Sequence, residues 1–350
     1  MKGDASGEGD GSDQSDSGLE GTGNSNNLIV SVVVPAFNAE NHIRGCLEAL
    51  LNQSQPAESF EIIVVDDGST DQTGEIIRSF PVSYFHQENQ GPAAARNRGA
   101  GQARGEVILF TDSDCVPEPD WIVEMLKPFQ NPEVAAVKGA YITRQREWVA
   151  RFSQLEFEER FEMLSGVEAI DMVDTYSAGF RREIFQGMKG FDISFPVANN
   201  EDTELSYRMV AAGHRMVFNP KAVVAHLNHP NSAWGYYKLK FGRGYWRMVV
   251  YRRFPDKMLK DTYTPKALKL QVLFLGALLG TLPLWWLFPH WGWLVPALFS
   301  LPLLLLILPF SITALKKDFP AGLITPFMLL VRAGAIGGGV FWALLRAKKA

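Results

Sequence analysis

The sequence predicts an α/β protein with a doubly wound parallel sheet, followed by C-terminal transmembrane helices. Two observations support this prediction. Short β-branched runs alternate with helical segments in the first third of the chain, and residues 270–315 contain no Asp, Glu, Lys or Arg. A third observation limits the function, because a formal net charge of −4 argues against a nucleic-acid binder.

The first 27 residues differ from the rest of the chain. They are rich in Gly, Ser, Asp and Asn, with six acidic residues and one Lys. Such a segment has almost no apolar surface to bury, so we expect a disordered acidic tail before a folded body at 28–233. It has no basic start and no apolar core, so it does not resemble a signal peptide.

The two cysteines predict no disulfide framework. Cys46 falls on the apolar face of a predicted helix, where core packing is its expected role. Cys115 follows an acidic pair, but a thiolate ligand favours softer metals than carboxylates do.

Hydrophobic periodicity places the elements of the body in alternation. The predicted strands are 29–34, 61–65, 82–85 and 106–110. The predicted helices are 40–51, 71–79 and 92–104. This alternation favours parallel pairing in a doubly wound sheet, whose ligands bind beyond the carboxyl ends of the strands.

Polar clusters follow three of these strands. The clusters comprise Pro35, Ala36 and Asn38, then Asp66, Asp67 and Gly68, then Asp112, Ser113 and Asp114. Neither a Gly-x-Gly-x-x-Gly loop nor a Walker-type phosphate loop is present, which argues against a dinucleotide dehydrogenase and a P-loop enzyme.

Asp112 and Asp114 place two like charges at the end of a buried strand. A divalent cation, Mg²⁺ or Mn²⁺, would neutralise their repulsion and bridge a diphosphate. Asp66 and Asp67 are suited to accept hydrogen bonds from a nucleobase and a ribose. Arg96, in the preceding helix, would reach the diphosphate or base, or would form a surface salt bridge.

Four motifs occur in order between Leu28 and His226. They are "VSVVVPAFNAENHIRGCLEALLNQS", "EIIVVDDGSTDQT", "NQGPAAARNRGAGQARGEVILFTDSDC" and "GFDISF…NNEDTELSYRMVAAGHRMVFNPKAVVAH". Together they resemble glycosyltransferase family 2, in its membrane-anchored, bacterial-type branch. The resemblance implies a GT-A fold, with a Rossmann-like mixed, mostly parallel sheet. The resemblance implies transfer of a sugar from a nucleotide-diphosphate donor, with inversion at the anomeric carbon.

The resemblance also implies roles for individual residues. Asp112 and Asp114 match the metal and diphosphate site, and Glu201-Asp202 matches the late acidic pair. We favour Asp202 as the base over Glu201, while the alternative is a helix N-terminus with acidic residues in its first turn. The nucleotide would be lined by Pro35, Ala36, Asn38, Asp66 and Asp67.

The acceptor side is less defined by the motifs. The segment Ser177, Ala178 and Gly179 is expected to shape the acceptor or sugar pocket. Arg243 would contact a lipid diphosphate or would dock on the membrane, as would Arg247. His226 would assist the metal or pack against its neighbours.

The C-terminal part predicts membrane attachment. Residues 234–269 form a basic amphipathic segment, and residues 270–288 and 292–312 are expected to span the bilayer. A third apolar segment, 321–345, contains Arg332 and three consecutive glycines, and the sequence leaves its crossing undecided. Basic flanks on both sides of the hairpin predict a multi-pass plasma-membrane protein with a cytoplasmic catalytic body.

The membrane-bound branch implies a lipid-linked or membrane-associated acceptor in cell-envelope or surface-glycan synthesis. The chain lacks the Gln-x-x-Arg-Trp signature of processive synthases, which favours a single transfer. Two alternatives remain open: an inactive nucleotide-sugar-binding scaffold in the membrane, or a nucleotidyltransferase.

Overall fold

The computed structural model describes residues 29–288 and 290–346. The predicted acidic tail, 1–27, and the basic residues after Arg346 lie outside the described residues. The body contains one eight-stranded sheet with the order β3-β2-β1-β4-β7-β6-β8-β5. Its strands are β1 Val30–Ala36, β2 Phe60–Asp66, β3 Ser83–His86, β4 Val107–Phe110, β5 Cys115–Pro117, β6 Val134–Thr143, β7 Ala178–Arg181 and β8 Arg215–His226.

The first half of the sheet is parallel, as the alternating pattern predicts. Strand β1 pairs with β2 and β4, and β2 pairs with β3. The register sets Ala36 opposite Asp66 and Val33 opposite Phe110, so the carboxyl ends of these strands meet at one edge. The helices of this half are α1 Ile43–Leu51, α2 Thr73–Arg78, α3 Pro92–Gln102 and α4 Trp121–Leu126.

The second half makes the sheet mixed. Strand β7 is antiparallel to both β4 and β6, and β8 is parallel to β6 but antiparallel to β5. The helices here are α5 Trp148–Ser165, α6 Arg182–Gly187 and α7 Glu201–Ala211. The predicted α/β fold with a mixed, mostly parallel sheet is therefore confirmed.

Four helices follow the body: α8 Ala233–Arg253, α9 Lys266–Leu287, α10 Leu294–Lys317 and α11 Phe319–Arg346. The last three are long and apolar enough to cross a membrane. Helix α8 corresponds to the predicted amphipathic segment, but one of its faces is buried against α11. A Cβ on Gly339 would lie 2.1 Å from the Phe241 carbonyl oxygen, so this glycine lets the two helices approach closely.

Candidate active site

The loops that follow β1 and β2 are joined by hydrogen bonds at the carboxyl edge of the sheet. The Asn38 Oδ1 accepts from the Thr70 N–H at 2.9 Å, and the Asn38 N–H donates to the Ser69 Oγ at 3.0 Å. Asn38 adopts a positive φ of 47°, while Pro35 and Ala36 are buried beneath it. The two loops therefore form one connected rim, in which Asn38 is exposed and Pro35 and Ala36 are buried.

Asp67 is buried and uses its carboxylate to hold the loop after β3. It accepts hydrogen bonds from the Gln87 side chain at 2.7 Å, the Gln90 N–H at 2.9 Å and the Gly91 N–H at 2.8 Å. A carboxylate with three such donors fixes the shape of the rim.

Asp66 is also buried, at the end of β2. It accepts from the Ser69 N–H at 2.9 Å and from the Tyr84 hydroxyl at 2.9 Å. Burial acts to raise the pKa of Asp66, but the bonds from Ser69 and Tyr84 outweigh it and lower the pKa. Asp66 is therefore held as an anion at the rim.

Gly68, in the loop after β2, lies close to the segment that follows β3. Its φ is +80°, and a Cβ there would lie 2.8 Å from the Asn89 backbone nitrogen. We expect Gly68→Ala to destabilise the protein by about 1–3 kcal/mol, since the left-handed backbone and the contact both oppose a side chain. A thermal-unfolding midpoint measures this. Gly101→Ala is the control, because a Cβ at Gly101 meets no atom within 4 Å. Equal midpoints for the two variants would contradict the expectation.

Arg96 supplies the positive charge that faces the acidic strand end. Its Nη2 donates to the Asp112 Oδ1 at 2.7 Å, and its Nη1 donates to the Glu201 Oε1 at 2.8 Å. Only 3% of the Arg96 side chain is exposed, so the surface salt bridge considered from the sequence is in fact a buried one. Burial lowers the pKa of Arg96, but Asp112 and Glu201 raise it further, so the guanidinium stays charged.

The acidic pair Glu201 and Asp202 begins α7, after Asn200 in a left-handed conformation with φ 65°. Glu201 is buried against Arg96, whereas Asp202 is partly exposed, with its Oδ1 accepting from the Thr203 N–H at 2.6 Å. Of the two carboxylates, Asp202 is therefore the more accessible one.

Both carboxyl groups are held above their ordinary pKa range. Burial raises the pKa of Glu201, and the neighbouring charge of Asp202 adds to the effect. Burial also raises the pKa of Asp202, followed by the negative charge of Asp174. A carboxylate with a raised pKa is a stronger proton acceptor, as a general base requires.

A candidate cation site lies at the other end of the Asp112–Asp114 turn. Ligand atoms of Asp114, Cys115 and His226 lie within 4.8 Å of one another. The antiparallel pairing of β5 and β8 sets Cys115 opposite His226, which brings the histidine beside Asp114. From the sequence, we expected Asp112 and Asp114 to hold the cation together, and we expected His226 either to assist the metal or to pack against its neighbours.

The donor set suits a hard or borderline divalent cation. Burial, followed by the charges of Asp114 and Asp112, raises the pKa of the Cys115 thiol, and a cysteine ligand suits softer metals than carboxylates do. The Asp114 carboxylate and the His226 imidazole remain, and both are ligands for Mn²⁺. The His226 Nδ1 accepts from the Asn228 N–H at 3.3 Å, which leaves Nε2 for a metal. Asp112, which the sequence hypothesis also assigned to the metal, pairs with Arg96 instead.

The predicted acceptor segment lies in the core. Ser177 is fully buried; its Oγ accepts from the Trp121 Nε1–H at 2.8 Å and donates to the Ala222 carbonyl at 3.2 Å. Ala178 and Gly179 belong to buried β7, where a Cβ on Gly179 would meet the Leu109 side chain at 2.8 Å. Their burial assigns the three residues to packing rather than to acceptor contact.

Helix α8 packs against the start of α7 and brings the charge of Arg247 near the acidic pair. The Arg243 carbonyl oxygen accepts from the Asn200 Nδ2 at 3.3 Å, which seats α8 against the start of α7. Arg247, on the next turn of α8, lowers the pKa of Asp202 through its charge. The mixed aromatic and basic composition of this segment was the only signal in the sequence for either residue.

The described body matches the family model "Glycosyl transferase family 2" over residues 31–188. Glycosyltransferase AglE of Haloferax volcanii is 26% identical over 208 residues, which are 58% of this chain and 68% of that protein. Probable glycosyltransferase YdaM of Bacillus subtilis is 31% identical over 210 residues, 55% of this chain and 49% of that protein. Glycosyltransferase GlyA of Streptococcus pneumoniae is 27% identical over 215 residues, and the match spans 30% of its length.

A solved structure has a similar fold. It is the mannosyltransferase PcManGT from Pyrobaculum calidifontis in complex with GDP-Man and Mn²⁺. The TM-score is 0.57 at 20% sequence identity, over 90% of this chain and 86% of that one. At this identity the likeness concerns the fold alone.

Proposed function

Because the chain belongs to glycosyltransferase family 2, we propose that it transfers a sugar from a nucleotide-diphosphate donor to a membrane-associated, lipid-linked acceptor, with inversion. The observation that carries this proposal is the buried link Asp112–Arg96–Glu201. It fixes the diphosphate edge of the sheet relative to the start of α7, where Asp202 lies.

Asp202 is the proposed base. Its carboxylate takes the proton of the acceptor hydroxyl as the hydroxyl oxygen bonds to the anomeric carbon. The bond between that carbon and the diphosphate oxygen breaks on the opposite face, so the configuration inverts. Glu201 keeps its carboxylate on Arg96 and positions the adjacent Asp202.

The rim after β1 and β2 is the proposed nucleotide site, with Asn38, Asp66 and Gly68 at its edge. Asp114 and His226 are the proposed holders of Mn²⁺ or Mg²⁺. When bound, such a cation offsets the negative charge that grows on the leaving diphosphate. The nucleotide sugar and Mn²⁺ in the similarly folded mannosyltransferase support this choice of ligands.

Helices α9 and α10 are the proposed membrane anchor. Trp286 and Trp291 near the turn between them are 83% and 74% exposed, as expected of side chains at a membrane interface. Lys266 begins α9 and Lys317 ends α10, so both lysines lie at the end of the hairpin away from that turn. This distribution supports a plasma-membrane hairpin with a cytoplasmic body, so that a lipid-linked acceptor approaches Asp202 along α8.

A ligand titration tests the proposal. We expect one nucleotide-diphosphate sugar to raise the unfolding midpoint of the detergent-solubilised protein in a Mn²⁺- or Mg²⁺-dependent way. Asp114→Asn is expected to lose the metal-dependent part of the rise. Asp256→Asn, an exposed aspartate far along the chain, is the control and is expected to behave as the parent.

Each outcome has one interpretation. A shift that persists unchanged in Asp114→Asn contradicts the assigned cation site. A folded protein that no nucleotide sugar stabilises contradicts the transferase and favours the membrane scaffold. Release of pyrophosphate during turnover favours the nucleotidyltransferase.

A further inference from the structure

A buried charged cluster connects the catalytic body to the C-terminal helices. At its centre is Glu156 of α5, which is fully buried. Its Oε1 accepts from the Arg332 Nη1 of α11 at 2.8 Å. Its Oε2 accepts from the Lys240 Nζ of α8 at 2.9 Å and from the Tyr236 hydroxyl at 2.7 Å. We refer to Glu156, Lys240 and Arg332 as the α5–α11 cluster.

The cluster pairs buried charges that would be unfavourable in an apolar environment without a partner. Arg332 lies in the middle of an apolar 28-residue helix, and an arginine that faced hydrocarbon without a partner would be strongly unfavourable. Its Nη2 also donates to Gln271 of α9 at 2.8 Å. Because Glu156 belongs to the folded body, the middle of α11 is held at the surface of that body.

Both ends of α11 are held in the same way. At its start, the Asp318 carboxylate accepts from the Arg151 Nε of α5 at 2.5 Å. Near its end, the Ala343 carbonyl accepts from the Arg252 Nη2 of α8 at 2.7 Å. The neighbouring Arg253 pairs with Asp192 of the body at 2.6 Å, so this end of α8 is itself docked.

The spacing of these contacts is too short for a membrane crossing. At 1.5 Å rise per residue, the helix advances about 21 Å from Asp318 to Arg332 and about 17 Å from there to Ala343. A bilayer crossing needs about 30 Å of helix surrounded by hydrocarbon. Each stretch of α11 between two of these contacts is therefore shorter than a bilayer crossing.

We propose that α11 does not cross the membrane, and that its C-terminal end lies on the same side as the active site. Its outward apolar side chains, such as Phe319, Leu323 and Phe327, continue the exposed apolar face of the adjacent α10 and contact the same lipid. This placement keeps Arg346 on the side of Lys266 and Lys317, so the positive charges lie on one side of the membrane.

Labelling of single cysteines tests the placement without measuring catalysis. Cys46 and Cys115 are buried, so introduced cysteines report alone to a membrane-impermeant maleimide. Glu162→Cys marks the side of the body, Trp291→Cys marks the turn between α9 and α10, and Arg346→Cys marks the end of α11. In sealed vesicles of one orientation, we expect positions 346 and 162 to label together and position 291 to label only in vesicles of the opposite orientation. Labelling of 346 together with 291 would overturn the proposal.

A double-mutant cycle gives a second readout. Glu156→Gln and Arg332→Gln are each expected to lower the unfolding midpoint, and the double variant is expected to lose less than the two losses combined. If α11 crossed the bilayer away from the body, the losses would simply add, and additivity therefore overturns the proposal. Neither measurement depends on the proposed transfer reaction, so the two proposals fail separately.

Discussion

Replacement of Asp202 by Asn is expected to lower kcat by about 10²–10⁴-fold, the usual contribution of a general base. Asn occupies nearly the same space but takes no proton from the acceptor hydroxyl. The hydrogen bond from the Thr203 N–H to the Oδ1 is retained by the amide oxygen, so the fold should persist. Single-turnover transfer to a lipid acceptor measures the loss, and donor-induced stabilisation shows that the donor site is intact.

The pH dependence follows from the environment of Asp202. Burial and the charge of Asp174 raise the pKa of Asp202, so activity should fall on acidification at a pH above the ordinary Asp value of about 3.9. The stability of the fold changes with pH in the opposite direction. A carboxyl group whose pKa is raised in the folded protein stabilises the fold most when it is protonated. This stabilisation is lost as the pH rises through the raised pKa.

Two comparisons make the Asp202 result specific. Asp256→Asn removes an exposed carboxylate and should leave kcat unchanged. Glu201→Gln should weaken the bond to Arg96 and lower kcat less than Asp202→Asn does. If Asp202→Asn kept more than a tenth of the parent activity, with the same acidic limb, another group would have to be the base.

The parallel half of the sheet was predictable because its signals are local. The run Val107–Phe110 is fully buried and ends at the acidic turn, as apolar runs with polar ends indicate. The approach of His226 to Asp114 was not predictable in the same way. It depends on the pairing of β5 with β8, strands far apart in sequence, and periodicity carries no information about long-range partners.

The same limit applies to the acceptor segment and the third apolar helix. Small residues at Ser177 to Gly179 look equally suited to a pocket and to a crowded core, and the neighbours that decide come from α4 and β4. Arg332 in an apolar helix signals a partner, but only the fold identifies Glu156. In each case the sequence shows an unusual residue, while the element that satisfies it comes from a distant part of the chain.

Replacement of Arg96 by Met is expected to destabilise the protein by about 3–5 kcal/mol, the usual result of removing one partner of a buried ion pair. Asp112 and Glu201 would lose their shared cation, and Glu201 is buried. Since the charge of Arg96 acts to lower the pKa of Glu201, its removal should raise that pKa further. Thermal and denaturant unfolding in detergent measure the loss, with Arg98→Met, an exposed arginine on the same helix, as the matched control.

Two further variants separate the charge of Arg96 from its packing. Glu201→Gln in the Arg96→Met background removes the stranded buried carboxylate, so part of the lost stability should return. Arg96→Lys should recover little, because one ammonium on a shorter reach does not replace two guanidinium nitrogens that point to Asp112 and Glu201. Full recovery by Lys would show that only net charge matters. The guanidinium would then not act as a geometric link between Asp112 and Glu201.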